Sequence, residues 1–569
     1  MRTVYMKKIK DIYNSRLGFS FLTNIISLFI STVLFRTFWE EGDDIGMALL
    51  AEGAYGQYEP HILYSNTIYG KMICILQSVV SGVRWHAVMM YLFAFIASVM
   101  FVYVLSKDTK GRILSIILLT GSFYEIYVAA QFSKISVFIA IMSYMTLFEC
   151  VRDDLPSKAK RILATVATIC MFYSIILRYE SVLLATLIAG CYGVCLAVCE
   201  WMKGEFVGKI GSYCKVFIPV FVIFALCILV DRYTYSSGGW DRYRNYFASV
   251  SNLEDYHYNA LIYDLHGDDL KALGVSENDA NMFITYESLE TGLSTPELYD
   301  RISMLDKKGL GSVNIDFIKA WVANIYKDIF SLNNCFIGVI ALTGLLFAGI
   351  SQSADKKFLI CNIALQAVLS VLILFYYQYS GRWCHRIVYA LFVTIFVFMT
   401  YLIESSDIAS PDRVPVTCIG LILAVGIISS RLGNEFEYQE FLRQSSDYDS
   451  FISYLEENKD TLFVADVFTM INYGKYDVFS PAKKGQFDNL LQTDSVFVAN
   501  TPVNESIAAK YGYADPYEAL ASGDDKVILA DNVSPDVELT FLNEHGDKKE
   551  YRLIDAGSAG NINLYRISN

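Results

Sequence analysis

Residues 19–44 read FSFLTNIISLFISTVLFRTFWEEGDD. The stretch from Phe19 to Phe38 is predominantly apolar, with Arg36 its one charge, and Glu40, Glu41, Asp43 and Asp44 follow it as four carboxylates within five residues. About 20 predominantly apolar residues are enough for a helix to cross a bilayer. The stretch therefore predicts a membrane span with an acidic loop at its end. The apolar run is long and lacks a small-residue cleavage site, so it reads as a retained anchor rather than a signal peptide.

The rest of the chain carries the same signal. Its 569 residues are 54% hydrophobic and only 18% charged, against about 45–50% and about 25% in an ordinary soluble domain. Further apolar runs at 86–105, 113–130, 135–150, 162–177, 181–200, 215–230, 333–351, 358–378, 387–404 and 413–430 predict about 11 spans in all. The run at 62–82 carries Lys71 at its middle and reads as a helix at the membrane surface.

The net charge of -13 is unevenly placed. Residues 231–315 hold 14 acidic against 7 basic side chains, and residues 431–569 hold 24 against 12. The remainder holds 21 acidic against 27 basic and contains the apolar runs. A cationic hydrophobic body with two acidic polar inserts is the pattern of a polytopic membrane protein, and it excludes a simple basic nucleic-acid binder. Lys and Arg gather in alternate loops: Arg2, Lys7, Lys8, Lys10 and Arg16; Lys107, Lys110 and Arg112; Arg152, Lys158, Lys160 and Arg161; Lys203, Lys209 and Lys215; Lys356 and Lys357. Such loops face the cytoplasm. The N-terminus is then cytoplasmic, and both acidic inserts lie outside the cell membrane.

The expected fold is an α-helical polytopic membrane protein with an external helical insert and a small C-terminal α/β domain. Residues 1–230 form an N-terminal transmembrane module with a first external loop at 39–85. Residues 231–332 are the mostly helical insert, 333–430 the C-terminal membrane helices, and 431–569 the α/β domain. In that last part 461–466, 495–499 and 526–531 read as short buried strands, alternating with helices at 441–457 and 504–521. Ser276 leads Asp279 in the spacing of a helix capping box. The twelve cysteines lie mostly in apolar runs, with none in the two inserts, which removes a disulfide framework. Cys191, Cys195 and Cys199 share a helix face and read as small packing residues. The chain has no P-loop, HExxH or GxGxxG, so a nucleotide-driven pump or a zincin-type enzyme is unsupported.

The acidic loop is the leading site. Carboxylates are also what a helix N-terminus selects, so the cluster has a structural reading. The residues that follow favour a functional one: a short amphipathic helix over 47–53, then Tyr55, Tyr58, His61, Tyr64, Asn66 and Tyr69, a polar and aromatic lining. A carboxylate there can take the proton from an acceptor hydroxyl as its oxygen attacks a sugar C1. Asp43 and Asp44 are the expected catalytic pair, with Glu40 and Glu41 as further substrate-binding carboxylates. Ionisable residues at span ends add candidates: Lys134 in Gln131-Phe-Ser-Lys134, with Glu125 as its ion-pair partner; Arg178 in Arg178-Tyr-Glu180; and Arg382 and Arg386, expected to share a helix face. Arginine presents a donor fork suited to phosphate. His61 and His385 are candidate metal ligands that rank below these, since a lone loop histidine is more often a plain polar contact.

An acidic pair directly after the first span, followed by surface helices, resembles the GT-C integral-membrane glycosyltransferases. The resemblance extends over about 1–430, and its sharp motif is Glu40-Glu41-Gly42-Asp43-Asp44. Asn66-Thr-Ile-Tyr-Gly70, Gln131–Lys134, Arg178–Glu180, Gly274–Asp279 and Gly381–Arg386 also resemble segments of polytopic membrane proteins of Gram-positive anaerobes. The resemblance implies a polyprenyl-phosphate-linked sugar as donor, and an envelope glycan, lipid or protein as acceptor at the outer face of the bilayer. It implies Asp43 or Asp44 as base, Asp44 as ligand to a divalent cation (Mg or Mn), and Arg382 or Arg386 on the lipid phosphate. The common Asp-Glu pair of that family reads Asp-Asp here, which leaves the acceptor open. A polysaccharide polymerase or ligase is the alternative. A transporter or flippase, which needs repeats or broken helices around a midplane site, ranks last.

Overall fold

A computed structural model of the chain describes residues 15–568 apart from 153–154, 254–261, 285–294, 306–312, 331–333, 352, 409–412, 467–468, 470–477, 494–495, 534 and 547–549. The first half runs α1 (Arg16–Leu34), β1 (Phe38–Trp39), α2 (Asp43–Glu52), α3 (Thr67–Val79), α4 (Trp85–Leu105), α5 (Thr109–Phe123), a π-helical turn (Tyr124–Val128), β2 (Ala129–Ala130), α6 (Phe132–Val151), α7 (Ser157–Met202) and α8 (Phe206–Thr234). The middle holds α9 (Trp240–Asn252), α10 (Ile262–Ala272), α11 (Glu277–Ile284), α12 (Pro296–Leu305) and α13 (Ile315–Phe330). Then come α14 (Asn334–Ile350), α15 (Lys356–Tyr379), α16 (His385–Ser405) and α17 (Arg413–Glu457).

Nine helices among the described residues are long and apolar enough to cross a membrane. The difference from the eleven expected spans lies in two helices. One is α14, which has 17 residues and so extends about 26 Å. The other is α7, a continuous stretch interrupted by extended backbone at Arg178 (φ -161°, ψ 102°). The chain reverses there. Ser136 of α6 bonds Ser174 and the Arg178 carbonyl, and the Cys150 thiol lies 3.6 Å from the Lys160 carbonyl, so the first half of α7 runs antiparallel to α6. In the second half Thr186 pairs with Tyr144 and Tyr192 packs on Phe148, so that half runs parallel to α6. These halves are the two spans read at 162–177 and 181–200. With 13 residues, α3 is about 20 Å long, too short to span the ~30 Å hydrocarbon core, and Lys71 on it is exposed.

Every residue of α6 is buried, and α4, α7 and α16 surround it. A central helix must neutralise its ionisable side chains internally, because no water reaches them. At one end Lys134 pairs with Glu125 and Glu40; at the other Glu149 accepts from Lys107 and Tyr401. The positively charged loops gather at the Glu149 end. Arg152, Lys203, Lys209 and Asp355 line one cavity of about 320 Å³ there. The carboxylate loop lies at the opposite end.

The C-terminal part is a small α/β unit, as expected. β3 (Leu462–Ala465), β4 (Leu490–Gln492), α18 (Pro502–Tyr511), α19 (Pro516–Ala521), β5 (Val527–Ala530), α20 (Pro535–His545), β6 (Arg552–Ala559) and β7 (Ile562–Ser568) complete the chain. The sheet order is β4-β3-β5-β7-β6, with β4, β3 and β5 parallel and the β6–β7 hairpin added antiparallel. The strand expected at 495–499 is instead turn over its described residues, and the pairing segment is Leu490–Gln492. The expected capping box is present: Asp279 accepts from the Ser276 amide at 2.8 Å and the Ser276 hydroxyl accepts from the Asp279 amide at 3.0 Å. Asp255-Tyr-His-Tyr258 of the insert, an aromatic segment, lies outside the described residues.

This C-terminal unit sits on the first loop. The Gly485 and Phe487 amides donate to the Gly53 and Ala54 carbonyls, and Gln492 donates to the Tyr55 hydroxyl. Glu52, at the end of α2, takes both Nε and a terminal nitrogen of the buried Arg84, and also the half-buried Ala482 amide. Gly46 is required where Phe497 crosses α2, since an added Cβ would stand 2.4 Å from that ring.

Candidate active site

The carboxylate loop is held by backbone before any side chain acts. Phe38 and Trp39 pair in parallel with Ala129 and Ala130, and the Glu40 amide donates to the Ala130 carbonyl. This lays residues 38–44 against the start of α6. Asp43 and Asp44 then open α2, where the helix dipole favours negative charge, and Gly53 in the left-handed region (φ 75°) closes it.

The four carboxylates have different surroundings. Asp44 is fully buried: His86 Nε2 lies 3.0 Å from one oxygen, and the Phe132 amide donates to the pair at 3.2 and 3.4 Å. The other ring nitrogen of His86 meets the Tyr69 hydroxyl at 2.8 Å. Burial raises the Asp44 carboxyl above its ordinary range, against the pull of His86 and the Phe132 amide. Asp43 is partly exposed and accepts from Arg386 at 2.5 Å. Glu41 lies in the field of Arg386, Asp43, Asp44 and Lys134, and burial raises its carboxyl. Glu40 stands 2.9 Å from the buried Lys134 ammonium, which also donates to Glu125 at 2.6 Å.

Burial pushes Glu40 up to about 7, with Lys134 opposing and Glu125 adding to the rise. A folded-state value above the ordinary 4.5 means that the native chain binds this proton more tightly than the unfolded chain. The stabilisation is complete below about 4.5 and is lost as pH rises through about 7. Glu40→Gln is expected to flatten the fall in Tm between pH 5 and 8. A slope unchanged from the parent would show that Glu40 titrates at its ordinary value.

Arg178 joins this group through Phe132, whose amide serves Asp44 and whose ring lies 4.7 Å beneath the guanidinium. Tyr64, at φ 69°, lies under the same guanidinium at 5.1 Å. Glu180 is 3.9 Å from Arg178. The structure thus brings together Glu40, Glu41, Asp43, Asp44, Lys134, Arg178 and Arg386. His61 is held elsewhere: it bonds Glu59 at 2.6 Å and stacks on Trp240 at 4.5 Å. Arg382 does not share a helix face with Arg386, because α16 begins at His385 and Arg382 lies in the turn before it. That turn is tethered by Asp328 of α13, which accepts from Trp383 Nε1 at 2.9 Å and bonds His385.

Two parts of the arrangement were not singled out in the sequence. His86 stands second in a strongly apolar helix, where an ionisable side chain was itself a signal. Asp328 carried no local sign. As for a cation, the Asp44 oxygens face the imidazole of His86 and the Phe132 N–H, a poor surrounding for a hard metal that takes oxygen ligands and water. Among the described residues one group of His, Asp and Glu side chains brings its ligand atoms within 4.8 Å: Asp279, Glu544 and His545, in the insert and the C-terminal unit. There the Asp279 oxygens already meet His545 and the Ser276 amide.

Fold and site together define a polytopic α-helical membrane protein with a buried acid–base cluster at one end of its bundle. No family model matches the chain, and no curated protein matches it. Among solved structures it is similar to ArnT from Cupriavidus metallidurans bound to undecaprenyl phosphate, at 10% identity and a TM-score of 0.38, over 96% of this chain and 97% of that one. The apo form of the same protein aligns at 9% identity and a TM-score of 0.37, over 95% and 96%.

Proposed function

We propose that the chain is a membrane glycosyltransferase of the hexosyltransferase type. It transfers a sugar from a polyprenyl-phosphate donor to an envelope glycan, lipid or protein acceptor. The observation that carries this reading is the ion pair between Asp43 and Arg386, residues 343 apart in sequence. One is suited to take a proton and the other to hold a phosphate, and here each occupies the other. In this reading residues 1–230 and 333–430 form the membrane body, while 231–332 and 431–569 stand on the outer face with the site.

The donor phosphate competes with Asp43 for the Arg386 fork and frees the carboxylate as it binds. The acceptor oxygen then attacks C1 of the sugar from the face opposite the phosphate. A C1–O bond to the acceptor forms, the C1–O bond to the phosphate breaks, and Asp43 receives the acceptor's proton. The leaving lipid phosphate keeps the bonding pair, and Arg386 neutralises it. Burial, with the charges of Asp43 and Asp44, raises the Glu41 carboxyl beside them against the pull of Arg386. Asp44 holds the loop in place through His86 and Phe132, and Lys134 and Arg178 complete the positive surround of the donor.

The test is transfer from a radiolabelled polyprenyl-phosphate sugar in membranes bearing the parent chain or Arg386 variants. Arg386→Ala is expected to lose donor binding and turnover together. Arg386→Lys should retain a minor fraction, because an ammonium is a point charge without the bidentate fork. Full transfer by Arg386→Ala would overturn the assignment.

A further inference from the structure

Helix α13 has three faces. Phe317, Trp321, Asn324 and Asp328 fall on one side and pack toward the bundle. The first two rings meet Phe375 at 5.4 and 5.8 Å, Asn324 donates to Gln378 at 2.9 Å, and Asp328 holds Trp383 and His385. Asp316 and Lys327 lie on a second, polar side, and Lys319, at the edge of the third, reaches back to Asp316 at 3.1 Å. On the third, Ile315, Ile318, Val322 and Tyr326 recur at i, i+3, i+7 and i+11, and each is between 40% and 74% exposed. That spacing keeps them in one stripe along a helix.

A soluble protein buries such a stripe. Here its neighbours indicate what covers it. The partners of α13, Phe375 and Gln378, belong to the last turns of α15. On α15 itself Val368, Leu372 and Tyr376 recur every four residues and are 55–59% exposed, as the lipid-facing side of a span is. The α13 stripe therefore begins where a lipid-facing surface ends, at the depth of that helix's terminal turn. A helix with one face on protein, one apolar and one charged matches the hydrocarbon boundary, where an amphipathic helix sinks its apolar face about 5–10 Å.

The geometry points to α13 as an interfacial helix whose partner is the bilayer leaflet on the carboxylate side of the molecule. Phospholipid acyl chains cover Ile315, Ile318, Val322 and Tyr326, while Asp316 and Lys327 face water and headgroups. This assignment is independent of the proposed transfer reaction. Because Asp328 hangs from the same helix, the turn before Arg386 is tethered to a membrane-seated element.

The full chain in nanodiscs of phosphatidylethanolamine and phosphatidylglycerol, with a benzophenone amino acid at Ile318, Val322 or Tyr326, tests it. These side chains are exposed, so the replacement leaves the packing face intact. A benzophenone at Asp316 or Lys327 gives the comparison. Stripe positions are expected to yield ~10-fold more phospholipid adduct than the polar ones, as one-sided immersion requires. Adducts joining two copies of the chain would make the stripe a dimer contact and overturn the proposal. Equal lipid labelling from both faces, or none from either, would also overturn it. The readout needs no turnover, so it stands or falls apart from the Asp43 and Arg386 variants.

Discussion

Asp43→Asn is expected to abolish sugar transfer while leaving the lipid phosphate bound at least as tightly as in the parent. The two effects separate because the proposed reaction gives Asp43 two roles. As the acceptor's base it carries a proton in the transition state, and loss of such a group costs about 10²–10⁴ in rate. As the ion-pair partner of Arg386 it would, in that reaction, compete with the donor. Asparagine keeps the size and a weak acceptor but removes the charge, so Arg386 meets the phosphate without a rival. Initial rates with labelled donor, paired with calorimetric titration of polyprenyl phosphate, read both terms. Parent-like turnover would remove Asp43 from the chemistry. Joint loss of binding and turnover would make it a structural partner of Arg386 only.

The second large effect is expected from Asp44→Ala, and it is one of stability. The carboxylate is buried and bonded to His86 and the Phe132 amide, and His86 is bonded onward to Tyr69. Truncation strands a buried imidazole and a buried amide, at about 2–4 kcal/mol for the set. Asp44→Asn retains one acceptor and should fall between Asp44→Ala and the parent. Thermal unfolding in detergent measures the order, and a parent-like Tm for Asp44→Ala would show that the loop does not depend on this anchor. The adjacent aspartates thus predict opposite signatures: Asp43→Asn changes rate in a stable protein, and Asp44→Ala changes stability first.

Much of the fold was legible because the bilayer permits few solutions. Backbone groups in hydrocarbon must bond internally, so long apolar runs become helices whatever their finer sequence. Even the reversal at Arg178 showed as an Arg-Tyr-Glu interruption between two apolar runs. The errors fell where the apolar signal is short. Ser495–Ala499 has the composition of a buried strand, but Leu490–Gln492 is the segment that pairs with β3, and runs of this length do not distinguish such cases. The β6–β7 hairpin escaped because β6 is largely exposed along its length and so lacks a two-residue alternation. In the site, the cluster at 40–44 was conspicuous because four carboxylates stand within five residues at the end of a span. Its division of labour was not, since it depends on partners at 86, 132, 134 and 386. Arg382 and Arg386 have helical spacing, but the helix starts between them.

The tethering of the first loop by the C-terminal unit also bears on how the protein is made. Glu52 waits for Ala482, Gly53 for Gly485, Ala54 for Phe487 and Gly46 for Phe497. A ribosome that has already delivered the carboxylate loop to the membrane must translate some 430 further residues before those contacts can form. Until then the first spans can insert and pack, but the loop between them has no roof. The loop that carries the acid–base cluster is therefore among the first parts of the protein to be synthesised and among the last to be covered.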